Sequence, residues 1–182
     1  MRRELIFLVG FMGVGKSTVG ALLAVRLGWE FIDLDQEIEK THSQSIREIF
    51  EHQGELQFRR METEALQNLK QRVRCVVALG GGAFTDENNR SLIRDMGYSF
   101  FLDCPLEIIM NRCPIDLSRP LFKNRTQLQE LLALRLPHYQ TSDYRIEISN
   151  LSPEGIVDRI AEQMADWYSG SSEHLGNERS GA

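Results

Sequence analysis

The segment Gly10–Thr18 reads GFMGVGKST and matches the pattern GxxxxGK[ST]. It follows the apolar run Leu5–Val9 and precedes the helix-like run Val19–Leu27. Between a strand and a helix, this pattern is typical of a loop whose backbone N–H groups surround a phosphate. The alternative is a glycine-rich connection that binds nothing, but Gly makes up only about 7% of average sequence, so the whole pattern rarely arises there by chance. We therefore predict a P-loop.

The residue types in this loop predict a nucleotide site. Glycine lets successive N–H groups turn toward one anion, and the positive end of the next helix adds to the attraction. Lys16 supplies a positive charge for the β- and γ-phosphates, and the Ser17 hydroxyl can coordinate Mg²⁺. We expect ATP as co-substrate, Mg²⁺ as cofactor, and nucleotide contacts from Gly13, Val14, Gly15, Lys16, Ser17 and Thr18.

The composition narrows the class of protein. The chain has 182 residues, 42% of them hydrophobic and 26% charged, with a net charge of −5. This length suits one domain, and the acidic balance argues against a nucleic acid or a membrane as partner. The three cysteines and four histidines show no metal-ligand spacing, and the first strand begins too early for a signal peptide. We therefore expect reduced thiols, a cytoplasmic location and a monomer, the last because no long apolar helix face stands out.

A second strand is predicted at Trp29–Asp33, and it runs straight into Leu34-Asp35, so Asp33 and Asp35 stand near its carboxyl end. Residues two apart on an extended chain share a face, so the two carboxylates are expected to point together. They lie at the carboxyl end of the strand, where ligands collect in an open parallel sheet. The alternative, that an Asp here only caps the next helix, Gln36–Lys40, stays open.

Val73–Leu79 is a short β-branched run, which is typical of a strand buried on both faces. It ends in Gly80-Gly81-Gly82, and glycines in this place allow a bound group to approach the backbone closely, with a plain loop as the alternative. Before it, two helices are predicted with a break at Gly54, and the second helix carries Arg59. A solvated helix face is the other interpretation of that arginine.

The remaining chain alternates helices with strands, except at the segment 113–126. That segment contains two prolines, lacks apolar periodicity and carries Arg119 among other basic residues. Such a segment is either a functional lid or disorder, and beside an ATP site we favour a lid. The Gly/Ser-rich segment 169–182 is predicted to be a disordered tail. The other predicted elements are helices at Asp86–Met96, Leu106–Arg112, Leu128–Leu136 (ending near Pro137) and Pro153–Tyr168, and strands at Tyr98–Leu102 and Tyr144–Ile148.

The order β-α-β-α-β-α-β-α-β-α predicts a three-layer α/β/α fold with a five-stranded parallel sheet. In P-loop kinases the strand after the P-loop helix commonly lies at the sheet edge, so by analogy we expect the strand order 2-3-1-4-5. We expect one kinase domain over residues 1–168, with a substrate-binding helical region at about 34–62. A small-molecule kinase is favoured over a motor or a GTPase because the chain lacks room for an effector domain and has no NKxD stretch.

Taken together, these residues resemble the shikimate kinases, from about Leu5 to the final helix. Many families share the P-loop, whereas the other motifs are more specific in combination. The features are GFMGVGKST at Gly10–Thr18, FIDLD at Phe31–Asp35, Glu55 with Phe58-Arg59 and Glu62, Gly80-Gly81-Gly82, Arg119-Pro120-Leu121, and Arg135 with Tyr139. The resemblance implies ATP-dependent phosphorylation of the 3-hydroxyl of shikimate, in aromatic amino-acid synthesis.

The resemblance also implies roles for individual residues. Asp33 resembles the carboxylate behind the magnesium ion, which Ser17 ligates directly. Asp35 resembles the residue that holds substrate hydroxyls and is the candidate proton acceptor. The candidate catalytic residues are Lys16, Asp35 and Arg119, and the implied substrate contacts are Asp35, Arg59, Gly80, Gly81, Gly82 and Arg135.

Two arginines resemble contacts to the nucleotide. Arg119 resembles a lid arginine that reaches the ATP phosphates, and Arg112 resembles the residue beside the adenine. Other readings stay open, namely a related P-loop kinase for gluconate or a nucleoside monophosphate, or a non-catalytic ATP-binding module. A carboxylate on the acceptor suits an arginine clamp, because the planar guanidinium fork matches it.

Overall fold

The computed structural model describes residues 4–112 and 125–173, with side chains for residues 4–110 and 125–165. Within these residues, five parallel strands form one sheet in the order β2-β3-β1-β4-β5. The predicted strand order and fold class are therefore confirmed. The strands are β1 (Leu5–Val9), β2 (Glu30–Asp33), β3 (Cys75–Ala78), β4 (Gly97–Asp103) and β5 (Tyr144–Glu147).

Helices cover both faces of this sheet and make the three layers. Because β1 and β3 are covered on both sides, each of their residues is buried, as continuous apolar runs predict. The helices are α1 (Lys16–Leu27), α2 (Leu34–His42), α3 (Ile46–Asn68), α4 (Glu87–Met96), α5 (Leu106–Arg112), α6 (Arg125–Tyr139) and α7 (Pro153–Glu173). Helix α1 packs against α7, and α4 packs against α3. None of the helices in the described part of the chain is both long enough and apolar enough to cross a bilayer.

The two central strands approach each other closely at Gly97. In the register of the sheet, Leu5 lies between Cys75 of β3 and Gly97 of β4. A Cβ at Gly97 would lie 2.6 Å from the carbonyl carbon of Leu5 and closer still to its oxygen. Only glycine fits here, because the neighbouring atoms belong to a backbone that is itself part of the sheet.

Three local predictions are corrected by the structure. Helix α2 begins at Leu34, so Asp35 lies in a first helical turn and not on extended chain. Helix α6 continues through Pro137 to Tyr139, where the sequence predicted an end near Pro137. The side chain of Tyr139 is fully buried, and its burial stabilises this last turn. Helix α7 extends to Glu173, five residues into the predicted tail, and residues 174–182 lie outside the described residues.

The predicted break at Gly54 is confirmed. Gly54 has φ 78° and ψ 170°, which are not helical values, so it divides α3 into two helical pieces. The first piece begins with a capping box, in which Ser45 and Glu48 satisfy each other's backbone N–H groups. The second piece carries Arg59 and Glu62 toward the carboxyl ends of the strands.

Candidate active site

The loop between β1 and α1 has the backbone that its glycines predict. Gly10, Gly13 and Gly15 have φ angles of 146°, 75° and 93°, values that residues with a Cβ rarely adopt. Lys16 donates from Nζ to the carbonyl oxygens of Gly10 and Phe11, at 2.8 Å each. The ammonium group is therefore held over the loop, at the positive end of α1.

Asp33 connects this loop to α2. Ser17 donates from Oγ to Asp33 Oδ2 at 2.5 Å. The other carboxylate oxygen, Oδ1, accepts from the N–H groups of Asp35 at 3.1 Å and Gln36 at 3.4 Å, and so caps α2. The cap is therefore confirmed for Asp33, and its second carboxylate oxygen accepts from the P-loop serine, while a role in ligand binding stays a prediction.

Gly80 is the point where carboxylates of α2 and α3 approach the loop after β3. A Cβ at Gly80 would lie 2.9 Å from Glu62 Oε1 and closer still to Asp35 Oδ1. A side chain at this position would displace both carboxylates. The absence of a side chain at Gly80 therefore lets both carboxylates approach the backbone closely, as the sequence interpretation of residues 80–82 expects.

Guanidinium groups lie against the next residues of the same loop. A Cβ at Gly81 would lie 3.1 Å from Arg135 Nη1, and a Cβ at Gly82 would lie 2.5 Å from Arg59 Cζ. Arg135 is only 8% exposed, whereas the Arg59 side chain is 26% exposed. The structure thus brings together the predicted substrate contacts on α2, α3 and α6 around one glycine loop.

Tyr139 fixes the loop from the side of α6. Its hydroxyl donates to the carbonyl oxygen of Gly81 at 2.5 Å. Burial raises the pKa of Tyr139 to about 12, so the phenol keeps its proton at neutral pH. The resemblance included Tyr139 without a role, and its contact to the loop supplies one.

Glu62 is a site residue to which the sequence reasoning gave no role. It is fully buried and accepts a hydrogen bond from Arg59 Nη1 through Oε2 at 2.6 Å. Burial is the main cause that raises the pKa of Glu62 to about 7, and the charge of Asp35 raises it further, while Arg59 and Arg135 act against the rise. The available signal was its spacing, since residues three apart lie on one helix face.

The raised pKa of Glu62 makes the free energy of unfolding depend on pH. Between its ordinary value of 4.5 and about 7, the folded protein keeps a proton that the unfolded chain has lost. This stabilisation is complete below pH 4.5 and disappears as the pH rises through 7. We expect wild-type protein to lose about 2 kcal/mol more than Glu62→Gln between pH ~5 and ~7.5, measured by urea unfolding. Equal losses would show that Glu62 ionises normally.

The P-loop and the glycine loop after β3 are neighbours. A Cβ at Gly81 would lie 3.8 Å from the backbone N of Met12. This follows from the sheet order, because β1 and β3 pair directly and both loops leave their carboxyl ends. A group bound at the P-loop would therefore lie beside a group bound among the carboxylates and guanidiniums.

Two predicted nucleotide contacts are not described by the structure. Arg119 lies in the segment 113–124, outside the described residues, as does most of the predicted lid at 113–126. Arg112 ends α5, but its side chain is also outside the described set. Among the P-loop residues, Val14 is buried in the core and Thr18 is exposed in the first turn of α1.

Comparison with known proteins gives a consistent result. A family model described as shikimate kinase matches residues 12–165. A shikimate kinase of Persephonella marina is 44% identical over 156 residues, which covers 85% of this chain and 95% of that protein. A shikimate kinase of Geobacter sulfurreducens is 45% identical over 159 residues, covering 86% and 88%.

A solved structure agrees with these sequences. The shikimate kinase from Acinetobacter baumannii in complex with shikimate superposes with a TM-score of 0.85 at 38% identity, covering 90% of this chain and 94% of that one. The family match thus includes the P-loop from Met12 onward, the glycine loop and the helices that carry the charged residues around it. The chain belongs to the shikimate kinase family.

Proposed function

We propose that this chain transfers the γ-phosphate of ATP to the 3-hydroxyl of shikimate and releases shikimate 3-phosphate and ADP. One observation carries the proposal, namely that a charged cluster lies beside the P-loop. The cluster consists of the side chains packed around Gly80–Gly82, which are those of Asp35, Arg59, Glu62 and Arg135. The cluster supplies the groups that a polyhydroxylated carboxylic acid needs, which are guanidiniums for the carboxylate and carboxylates for the hydroxyls. Membership of the family supports the same substrate.

Arg59 and Arg135 bind the carboxylate of the acceptor in this proposal. They approach the glycine loop from α3 and α6, so an anion between them would receive donors from two directions. Guanidinium groups can donate two parallel hydrogen bonds to one carboxylate, which fixes its orientation as well as its position. The N–H groups of the Gly80–Gly82 loop then lie close to the bound acid.

Asp35 holds the reacting hydroxyl and turns it toward the P-loop. Its carboxylate lies at Gly80, next to the loop that would hold the γ-phosphate. Phosphoryl transfer has a loose transition state, which requires little early removal of the hydroxyl proton. The main contribution of Asp35 is therefore orientation, and it accepts the proton as the new bond forms.

The donor side uses the P-loop, with Lys16 on the β- and γ-phosphates and the N–H groups of Gly13–Thr18 around them. Ser17 and Asp33 offer a hydroxyl and a carboxylate oxygen 2.5 Å apart, and oxygen donors of this kind suit Mg²⁺. These two residues would hold the ion, Ser17 directly and Asp33 behind it. When bound, the ion neutralises charge on the phosphate oxygens.

The remaining parts of the proposal rest on the sequence: the two arginine contacts on the family resemblance, and the domain bounds, location, oligomeric state and partners on length, composition and patterning. Arg119 reaches the phosphates from a lid at about 113–126, and Arg112 lies beside the adenine. The kinase domain spans residues 1–168, and the enzyme acts as a cytoplasmic monomer without a nucleic-acid or membrane partner.

The proposed function is tested by ADP release with Mg-ATP against shikimate, gluconate, AMP and CMP. We expect turnover with shikimate alone. Turnover with another acceptor would retain the phosphate-binding role of the P-loop and reject the proposed substrate. Binding of ATP without turnover on any acceptor would instead point to a non-catalytic ATP-binding module.

Arg59→Ala is expected to raise the KM for shikimate about 10- to 100-fold, because a hydrogen-bonded charge on the carboxylate is lost. The KM for ATP is expected to stay within about twofold, since Arg59 lies at the glycine loop and not at the P-loop. Arg60→Ala is the matched control, because Arg60 is the next residue and is exposed. An unchanged KM for shikimate in Arg59→Ala would reject the carboxylate clamp.

A further inference from the structure

The turn that follows β3 is held through its backbone carbonyl groups. Each carbonyl oxygen from residue 80 to residue 85 accepts a hydrogen bond, and several of the donors are side chains of α4 and α6. The pairs are Gly80 with Ala83 N–H (3.2 Å), Gly81 with Tyr139 Oη (2.5 Å), Gly82 with Thr85 N–H (3.0 Å) and Oγ1 (2.7 Å), Ala83 with Asn89 Nδ2 (3.0 Å), Phe84 with Arg90 Nη1 (3.0 Å) and Thr85 with Arg90 Nη1 (2.8 Å).

Among these donors, Asn89 also bonds to α3, the helix that carries Arg59 and Glu62 on the opposite side of the proposed shikimate site. It lies in the first turns of α4 and is only 2% exposed. Its Nδ2 donates to the carbonyl oxygen of Ala83 at 3.0 Å, and its Oδ1 accepts from Thr63 Oγ1 at 2.9 Å. Because a carbonyl can only accept, the amide has one orientation that satisfies both partners.

Thr63 places this contact on the helix that carries the charged residues. It lies next to Glu62 and four residues after Arg59, and its Oγ1 is also 3.1 Å from the carbonyl oxygen of Arg59. The hydroxyl has only one proton to donate, so the contact that crosses between the helices is the one to Asn89. The Asn89 amide therefore links α3 at Thr63, one turn after Arg59, to the turn that continues from Gly82. Arg59 Cζ is already so close to Gly82 that a Cβ there would lie 2.5 Å from it.

We propose that Asn89 is a positioning residue for the acceptor site, which sets the distance between α3 and the glycine loop after β3. The identity of the acceptor in this proposal rests on the proposed function. A small shift of α3 would move the Arg59 guanidinium relative to the loop, and binding geometry is sensitive to displacements of this size. An apolar side chain could fill the same space but would remove the donor to the carbonyl oxygen of Ala83, whereas the two hydrogen bonds of the amide fix the direction as well as the distance between α3 and the turn.

The test compares kcat and the KM values for shikimate and ATP in wild type, Asn89→Ala and Thr63→Val. We expect both variants to raise the KM for shikimate about tenfold, with the KM for ATP within about twofold of wild type. Thr63→Ser keeps the hydroxyl and is expected to stay within about twofold of wild type in both KM values. Asn88→Ala is the matched control, because Asn88 is an exposed residue of the same type on the same helix.

The isosteric Thr63→Val change keeps the proposal testable if Asn89→Ala fails to fold. An unchanged KM for shikimate in Thr63→Val, or an equal rise of both KM values, would overturn the positioning role. Failure of Thr63→Ser to restore the KM for shikimate would overturn it as well.

If the wild-type protein does not turn over shikimate, the proposed function is rejected. The link between Asn89 and the turn is then tested on the protein without substrate. In that case, Asn89→Ala is expected to accelerate amide exchange at Ala83 and Thr85, whose N–H groups bond within the turn. Asn88→Ala is expected to leave exchange there unchanged. Equal protection in wild type and Asn89→Ala would overturn the inference.

Discussion

Lys16→Ala is expected to lower kcat for phosphoryl transfer by about 10³-fold or more, which is the largest effect we predict on activity. Lys16 is the charged residue of the P-loop, and its ammonium is held over the loop by the carbonyl oxygens of Gly10 and Phe11. Charge on the transferring phosphoryl group is spread over its oxygens in the transition state, so a fixed cation acts mainly there.

The measurement is kcat with saturating Mg-ATP and acceptor, with thermal unfolding recorded for each protein. Lys70→Ala is the control, because Lys70 is exposed and lies before β3, away from the carboxyl ends of the strands. A Lys16→Ala enzyme that kept more than about a tenth of the wild-type kcat would contradict the role given to this residue.

Gly97→Ala is expected to lower the free energy of unfolding by about 3 kcal/mol or more, the largest effect we predict on stability. The new Cβ would lie 2.6 Å from the carbonyl carbon of Leu5 and 3.0 Å from its Cα. These atoms belong to the central strand β1, so they can move only if β1 separates from β4. The P-loop follows β1 directly, and activity is expected to fall with the folded fraction.

Urea unfolding of Gly97→Ala and Gly155→Ala tests this prediction. Gly155 lies in the first turn of α7, and a Cβ there would make only ordinary contacts, at 3.6 Å and beyond. Gly155→Ala is expected to be neutral or slightly stabilising, because alanine favours a helix more than glycine does. A Gly97→Ala protein within about 1 kcal/mol of wild type would show that the strands adjust easily.

Much of the fold follows from local patterns in the sequence. The apolar runs of β1 and β3 predict strands covered on both faces, and the phosphate-loop pattern predicts the turn between a strand and α1. Gly54 and Asp86 mark a break and a helix start that the structure confirms. The strand order required an analogy, because no residue pattern states which strands are neighbours.

The start of α2 was less predictable, because two local preferences compete at Asp33. Extended chain and a helix N-cap both suit an Asp with apolar residues around it. The strand ends at Asp33 as predicted, but the cap makes residues 34 and 35 helical, where alternation suggested extended chain. Pro137 was misleading in a different way. A proline disfavours a helix locally, but tertiary burial of Tyr139 outweighs that preference.

The sequence predicted which residues line the charged site but not which of them bond to one another. Arg59, Arg135 and the glycines were named from the sequence, whereas the buried carboxylate of Glu62 and the amide of Asn89 were given no role. The partners of Asn89 belong to α3 and to the turn after β3, so they depend on tertiary packing. Glu62 has its partner Arg59 on the same helix, but its burial depends on which elements pack over that helix. Sequence periodicity gives the face of a helix but not the element that it meets.

The order of strands in the sheet also determines when this protein can fold during its synthesis. In the described sheet, β1 pairs with β3 and β4, and β2 pairs with β3. A nascent chain therefore carries its first two strands without neighbours until Cys75–Ala78 has left the ribosome. Until then the apolar segment Leu5–Val9 is exposed to chaperones and to other chains, and the first half of the protein has no stable sheet to join.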